Sequence, residues 1–150
     1  MIWPLRQLRE ERPWGAQPLI TTNGCFDLLH TGHLRAIEYA KSLGGWLLVL
    51  INSDASIKAI KGEGRPFIPE NDRARLLAAL RAVDGVMIFR GRTPCEVLGQ
   101  LKPAIHVKGG DWKAEDLPET KIVEAAGGRV VILPRDEGPS TSEIAERVRK

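Results

Sequence analysis

Two hydrophobic periods alternate along the chain. Trp46 to Ile51 is a continuous apolar run, the pattern of a strand buried on both faces of a parallel sheet. Leu19-Ile20-Thr21-Thr22 is β-rich and ends at Asn23-Gly24, which predicts a first strand; Val86 to Phe89, Ile105 to Val107 and Val130 to Leu133 predict further short ones. Between these runs the spacing is helical. From Gly32 to Leu43 the residues Leu34, Ile37, Tyr39 and Ala40 follow it, and Gly44-Gly45 ends it. A helix is expected from near Asp54, and another from Pro69-Glu70 to Ala82 with Leu76, Leu77 and Leu80 on one side. Further helical stretches fall near 94–101, 117–126 and 141–149, and LRQLREER over 5–12 predicts a short helix before Pro13. Strands alternating with helices at this rhythm predict a doubly wound parallel α/β sheet.

The 150 residues predict one domain, with 1–17 as an N-terminal helical extension. An apolar fraction of 43% with 27% charged residues is ordinary for a folded domain and argues against disorder. The net charge of +3 suits an anionic ligand weakly. Charges of both signs are mixed, without the basic tracts of a nucleic-acid binder. Cys25 and Cys95 are too few for a disulfide framework or a four-cysteine zinc site. With no apolar leader and no run near the roughly 20 residues that span a bilayer, the expectation is a cytoplasmic protein with free thiols and no membrane attachment.

The chemistry concentrates in Asn23-Gly24-Cys25-Phe26-Asp27-Leu28-Leu29-His30-Thr31-Gly32-His33, where the first strand hands over to the first long helix. In open α/β sheets ligands bind at this carboxyl end of the strands. A helix starting near Thr31 offers unpaired N–H groups and a positive dipole end to phosphate. Gly32, lacking Cβ, admits close approach, and His30 and His33, three apart, lie on one side of the opening turn. Donors fixed in this way stabilise the charge that builds as pyrophosphate departs from an α-phosphorus. Two alternatives remain open from spacing alone: zinc ligation by the histidines with Asp27, and purely structural histidines.

His30-Thr31-Gly32-His33 resembles the HxGH signature of the cytidylyltransferase-like nucleotidyltransferases. The likeness continues from about residue 19 to the end. Ile51-Asn52-Ser53-Asp54, Lys61-Gly62 through Arg65-Pro66, Glu70-Asn71-Asp72-Arg73 with LLAAL, Val83-Asp84, Thr93-Pro94 and Val107-Lys108-Gly109-Gly110-Asp111 resemble one branch, the adenylyltransferase domain of bacterial ADP-heptose synthase. The segment Leu133-Pro134-Arg135-Asp136-Glu137-Gly138-Pro139-Ser140-Thr141-Ser142, with Trp112, is similar instead to glycerol-3-phosphate cytidylyltransferase. Arg90-Gly91-Arg92 departs from the heptose branch, which has acidic residues before its Thr-Pro; a solvated loop and an altered substrate preference both account for it.

The resemblance implies a Rossmann-like nucleotidyltransferase fold and a set of roles. His30 and His33 would contact the triphosphate and stabilise the transition state, with Lys61 (or Lys58) closing on phosphates from a Gly-containing loop and Arg73 offering a guanidinium fork. Asn23, Gly24, Phe26, Asp27 and Gly32 would shape the nucleotide pocket, and Lys108, Gly109 and Asp111 would approach base or ribose. Arg135, Ser140, Thr141 and Ser142 would hold phosphate at a second helix N-terminus. Each has an ordinary competitor: core packing for Phe26, capping for Asp27 and Ser140, exposed lysines for Lys58 and Lys61, an ion pair with Glu70 or Asp72 for Arg73, and a simple turn for the glycines. ATP or CTP would arrive with Mg²⁺ held through phosphates and waters. Asp27 and Asp111 are the carboxylates to test as ligands, and neither is assigned. The implied partners are a nucleoside triphosphate and a phosphorylated small molecule, in a homodimer of the kind common among such proteins.

Overall fold

Strand β2 (Trp46–Asn52) can give neither face to water, since every residue after Trp46 is buried. Its side chains divide by the strand period of two. Leu47, Val49 and Ile51 enter one core and Leu48 and Leu50 the other. The computed structural model, which describes residues 1–135 and 138–150, places β2 beside β1 (Leu19–Gly24) in a five-stranded sheet. With β3 (Gly85–Phe89), β4 (Ile105–Gly109) and β5 (Arg129–Leu133), the order is β3-β2-β1-β4-β5 and every pairing is parallel.

The helices follow the connections. They are α1 (Leu5–Glu11), α2 (Thr31–Ser42), α3 (Asp54–Lys61), α4 (Glu70–Ala78), α5 (Cys95–Leu101), α6 (Pro118–Ala125) and α7 (Thr141–Val148), with one 3₁₀ turn at Ala114–Asp116. Ile37 and Ala40 of α2 and Ala74 and Leu77 of α4 pack on one sheet face. Leu8 of α1, Val97, Leu98 and Leu101 of α5, and Val123 of α6 pack on the other. This is the doubly wound arrangement that the alternation predicts. Among the described residues no helix is long and apolar enough to cross a membrane.

Two expectations are corrected and one is extended. Helix α4 stops at Ala78 instead of Ala82, because Leu80 and Val83 donate to Leu77 and Leu80 three residues back, in tighter turns that lead into β3. Leu76 is exposed, unlike Leu77: neighbours on a helix point about 100° apart, and the buried set is Arg73, Ala74 and Leu77. Residues 1–17 contribute more than a helix. Trp3 donates to the Val86 carbonyl and Val86 to that of Met1, so the N-terminus pairs with the open edge of β3. Trp3 and Trp14 then meet Trp46 at ring-centroid distances of 6.4 and 6.0 Å.

Leu8, with no exposed surface, joins this segment to the second core. Leu8→Ala is expected to lower unfolding stability by about 2–5 kcal/mol through lost transfer energy and a residual cavity, read from denaturant midpoints. A change below about 0.5 kcal/mol would show that residues 1–17 do not share the core's cooperativity.

Candidate active site

Strand β1 pairs with β2 on one side and β4 on the other, so the chain leaves Gly24 where the winding of the sheet reverses, the place where such sheets open a crevice. Phe26 follows with φ of +49°, in the left-handed region that costs a side-chain-bearing residue of order 1 kcal/mol or more. A Cβ on Gly24 would lie 3.1 Å from the Phe26 ring, tighter than ordinary contact. His30 then caps α2: its Nδ1 accepts the Gly32 N–H at 3.1 Å. That bond occupies the Nδ1 lone pair, so the neutral ring carries its proton on Nε2. A Cβ on Gly32 would lie 2.9 Å from His30 Cε1, so a larger residue would force the His30 ring out of this position.

The two imidazoles stack face to face, with centroids 3.8 Å apart and planes 24° apart, and Phe26 lies 5.1 Å from His33. Burial, then His30, then Lys61 push the His33 pKa down to about 4. His30 is also lowered, by burial and then Arg135, with Glu143 pulling the other way. Both rings therefore favour the neutral form, which retains an N–H donor.

These groups open on a cavity of about 770 Å³. The structure brings to its walls the predicted Asn23, Gly24, Phe26, His30, Gly32, His33, Lys61, Gly109, Arg135, Ser140, Thr141 and Ser142. Helix α7 presents its first turn to the same space. Ser140 accepts from Glu143 N while Glu143 accepts from Ser140 N, a capping box that leaves Thr141 and Ser142 at the opening. Arg35, Tyr39 and Gly110 also line it. The spacing of Arg35 and Tyr39, one helical turn apart, was the available signal, but Tyr39 reads equally as a core residue.

Other predicted residues do different work. Arg73, expected at phosphate, has no exposed surface. Its guanidinium donates to the carbonyls of Ile68, Cys25 and Asn52 and to Asp54 Oδ1, which leaves no route to a ligand. Asp27 is 1% exposed and is neither a pocket wall nor a helix cap. It accepts from Phe67 N and Ile68 N and pairs with Arg65 at 3.2 Å, fastening the loop before α4. Lys108 turns behind the wall to Asn23 Oδ1 and Glu119. Asp111 is exposed and away from the walls. Lys58 is exposed and pairs with Glu63 at 3.1 Å. Asp136 and Glu137, part of the quoted tail motif, lie outside the described residues.

Among the described residues no Asp or Glu lines the cavity, whereas Arg35, Lys61 and Arg135 do, and no group of three or more His, Cys, Asp or Glu could share a metal ion. With Asp27 committed elsewhere, the zinc arrangement loses its carboxylate. The lining fits a polyanion whose own oxygens carry a magnesium ion.

The profile of the cytidylyltransferase-like family matches residues 21–147. The chain belongs to the cytidylyltransferase-like family. Curated relatives include the Bifunctional protein HldE of Pelobacter propionicus, 48% identical over 130 residues that make up 87% of this chain and 27% of that protein. The protein of the same name from Photobacterium profundum is 46% identical over 133 residues, 89% of this chain and 28% of its own length. The chain thus spans about a quarter of the length of the curated relatives it matches. Among solved structures it is similar to the lipopolysaccharide core biosynthesis protein of Thermoplasma volcanium, with a TM-score of 0.65 and 26% identity over 81% of this chain and 98% of that one. The pantoate-beta-alanine ligase of Francisella tularensis, at 14% identity over 97% of this chain and 72% of that one, and a TM-score of 0.64, shares the fold.

The depressed histidines give the cytidylyltransferase-like domain a defined acid response. His33 titrates near 4 and His106, buried in the sheet, near 3, whereas both take protons near 6.5 when unfolded. Below pH 6.5 the unfolded chain binds protons that the folded chain refuses, so stability present above 6.5 is lost as pH falls toward 4 and then 3. Urea midpoints are expected to fall between pH 7.5 and 5, less steeply in His33→Gln. Flat midpoints over that interval would refute the neutral assignment.

Proposed function

We propose that the chain transfers AMP from ATP to a sugar 1-phosphate, heptose 1-phosphate, releasing pyrophosphate and forming ADP-heptose. The observation that carries the reading is the convergence of two helix N-termini, those of α2 and α7, with Arg35, Lys61 and Arg135 on one cavity free of carboxylates among the described residues. The sugar acceptor is supported by the VKGGD and INSDAS segments, and by a structural relative whose name refers to the lipopolysaccharide core.

A phosphate oxygen of the acceptor attacks the α-phosphorus of ATP in line. One phosphorus–oxygen bond forms as the bond to the β-phosphate bridge breaks, and pyrophosphate leaves. The acceptor phosphate is already ionised at neutral pH, so no side chain has to act as nucleophile or general base. His30 donates from Nε2 and His33 from its own N–H to the oxygens on which charge grows. Lys61, Arg135 and the first turns of α2 and α7 hold the triphosphate, so that catalysis comes from positioning and charge stabilisation. Trp112 and the Ser140-Thr141-Ser142 tail favour a second reading, CMP transfer from CTP to glycerol 3-phosphate.

His30→Ala and His33→Ala are each expected to lower pyrophosphate release on the order of 100- to 1000-fold with unchanged circular dichroism; wild-type rates in both would remove the catalytic assignment. Crossing ATP and CTP with heptose 1-phosphate and glycerol 3-phosphate in the same assay tests the substrates. Preferred turnover of CTP with glycerol 3-phosphate would replace the first reading by the second. Nucleotide binding without turnover on any acceptor would instead identify a binding module.

A further inference from the structure

Behind the cavity wall, polar side chains run through apolar packing. Thr21 and Asn23 are two apart on β1, as are His106 and Lys108 on β4, so each pair shares a face of the sheet. Thr21 Oγ1 meets His106 Nδ1 at 2.8 Å. One step nearer the cavity, Lys108 Nζ donates to Asn23 Oδ1 at 3.2 Å and lies 3.5 Å from Glu119 Oε1. Lys108 and Glu119 are 17% and 4% exposed at their side chains, so this ion pair is largely out of water. Asn23 itself lines the cavity.

The chemistry of the pair fixes which way the amide faces. A lysine ammonium only donates, so the Asn23 carbonyl must face it. The opposite end of the planar amide, the Nδ2 hydrogens, then remains for the cavity, and among the described residues no protein group is bonded to it. We infer that the Lys108–Glu119 pair is a positioning device that locks Asn23 as a donor toward a hydrogen-bond-accepting oxygen or ring nitrogen of the bound nucleotide. Glu119, on the first turn of α6, holds the ammonium in place. Lys108 thereby acts on the nucleotide through Asn23 and not by contact. The inference rests on the proposed seating of a nucleotide in this cavity.

The alternative is that the pair only staples α6 to β4. Calorimetric titration with magnesium ATP and magnesium CTP, thermal melting, and KM and kcat from pyrophosphate release separate the two. Asn23→Asp keeps the shape and gives Lys108 a stronger partner but replaces the donor by an acceptor. Asn23→Leu removes the donor without adding charge. Both are expected to weaken nucleotide binding at least about tenfold, with Asn23→Asp melting no lower than wild type. The double variant Lys108→Met with Glu119→Gln leaves no unpaired buried charge. It is expected to raise the nucleotide KM severalfold with a smaller change in kcat, and Lys108→Arg to recover most of that loss. Wild-type affinity in both Asn23 variants, or a wild-type KM in the double variant, would overturn the inference while leaving the nucleotide site standing. Failure of the wild-type chain to bind either nucleotide would overturn both.

Discussion

The site exists because two buried charged side chains satisfy the backbone of the loops that frame it. Arg73 donates to three carbonyls, from the segment after β1, from the last residue of β2 and from the turn before α4. Asp27 accepts from two N–H groups of that same turn and from Arg65. One supplies donors where loop carbonyls crowd, and the other supplies acceptors where N–H groups crowd. Buried loop backbone without such partners costs several kcal/mol, and loops that pay that cost do not hold a shape. The pair keeps the strand end, the histidine turn and the α3–α4 connection in fixed relation. It also brings Lys61 and the first turn of α7 to one opening, the latter through Arg65, which reaches Ser142 at 3.5 Å.

The electrostatics of that opening follow from the groups that line it. Among the described residues its walls carry cations and helix N-termini and no carboxylate; burial first, and then the neighbouring charges, holds the histidine pKa values down. An imidazolium pair would attract phosphate more strongly, yet two charged rings 3.8 Å apart, near Arg135 and Lys61, would repel each other and their neighbours. Neutral rings give up attraction and gain fixed donors. His30 is set by its Nδ1 bond to Gly32, so its remaining N–H has one direction before any ligand arrives. Donors oriented in advance need no reorganisation when charge develops. In the proposed reaction, net attraction would fall to the helix termini and the cations, and discrimination between ground and transition state to the rings.

The legible part of the sequence was the part governed by periodicity and turn chemistry. The β2 run, the glycine stop after α2 and the start of α2 at the histidine turn are local statements, and the structure agrees with each to within a residue or two. The layered packing also follows, because alternate residues of β2 must serve two cores. Arg73 and Asp27 were misread because their partners lie 48 and 40 residues away, at carbonyls and N–H groups that any sequence possesses. A charged side chain in a nucleotide-binding motif resembles a ligand contact, and only three-dimensional pairing shows that it holds backbone instead. Leu76 failed for a simpler reason: it points about 100° away from Leu77, outside the buried set of Arg73, Ala74 and Leu77, and Leu80 lies beyond the end of α4.

The same distinction orders the lysines. Lys58, Lys61 and Lys108 look alike as basic residues at or near glycine-containing turns. Lys58, on the last turn of α3, is exposed and paired with Glu63 in the loop that follows, an arrangement that side-chain entropy and solvent make weak. Lys61, one turn further along α3, lies on the cavity and its charge bears on His33. Lys108 is buried against Glu119, where desolvation makes the pair sensitive to loss of either partner. Burial therefore separates a solvated charge, a ligand-facing charge and a framework charge better than motif membership does. If the cavity is the reacting site, this argument assigns to it Lys61, the lysine that faces the opening, whereas those with carboxylate partners shape that opening or decorate its rim.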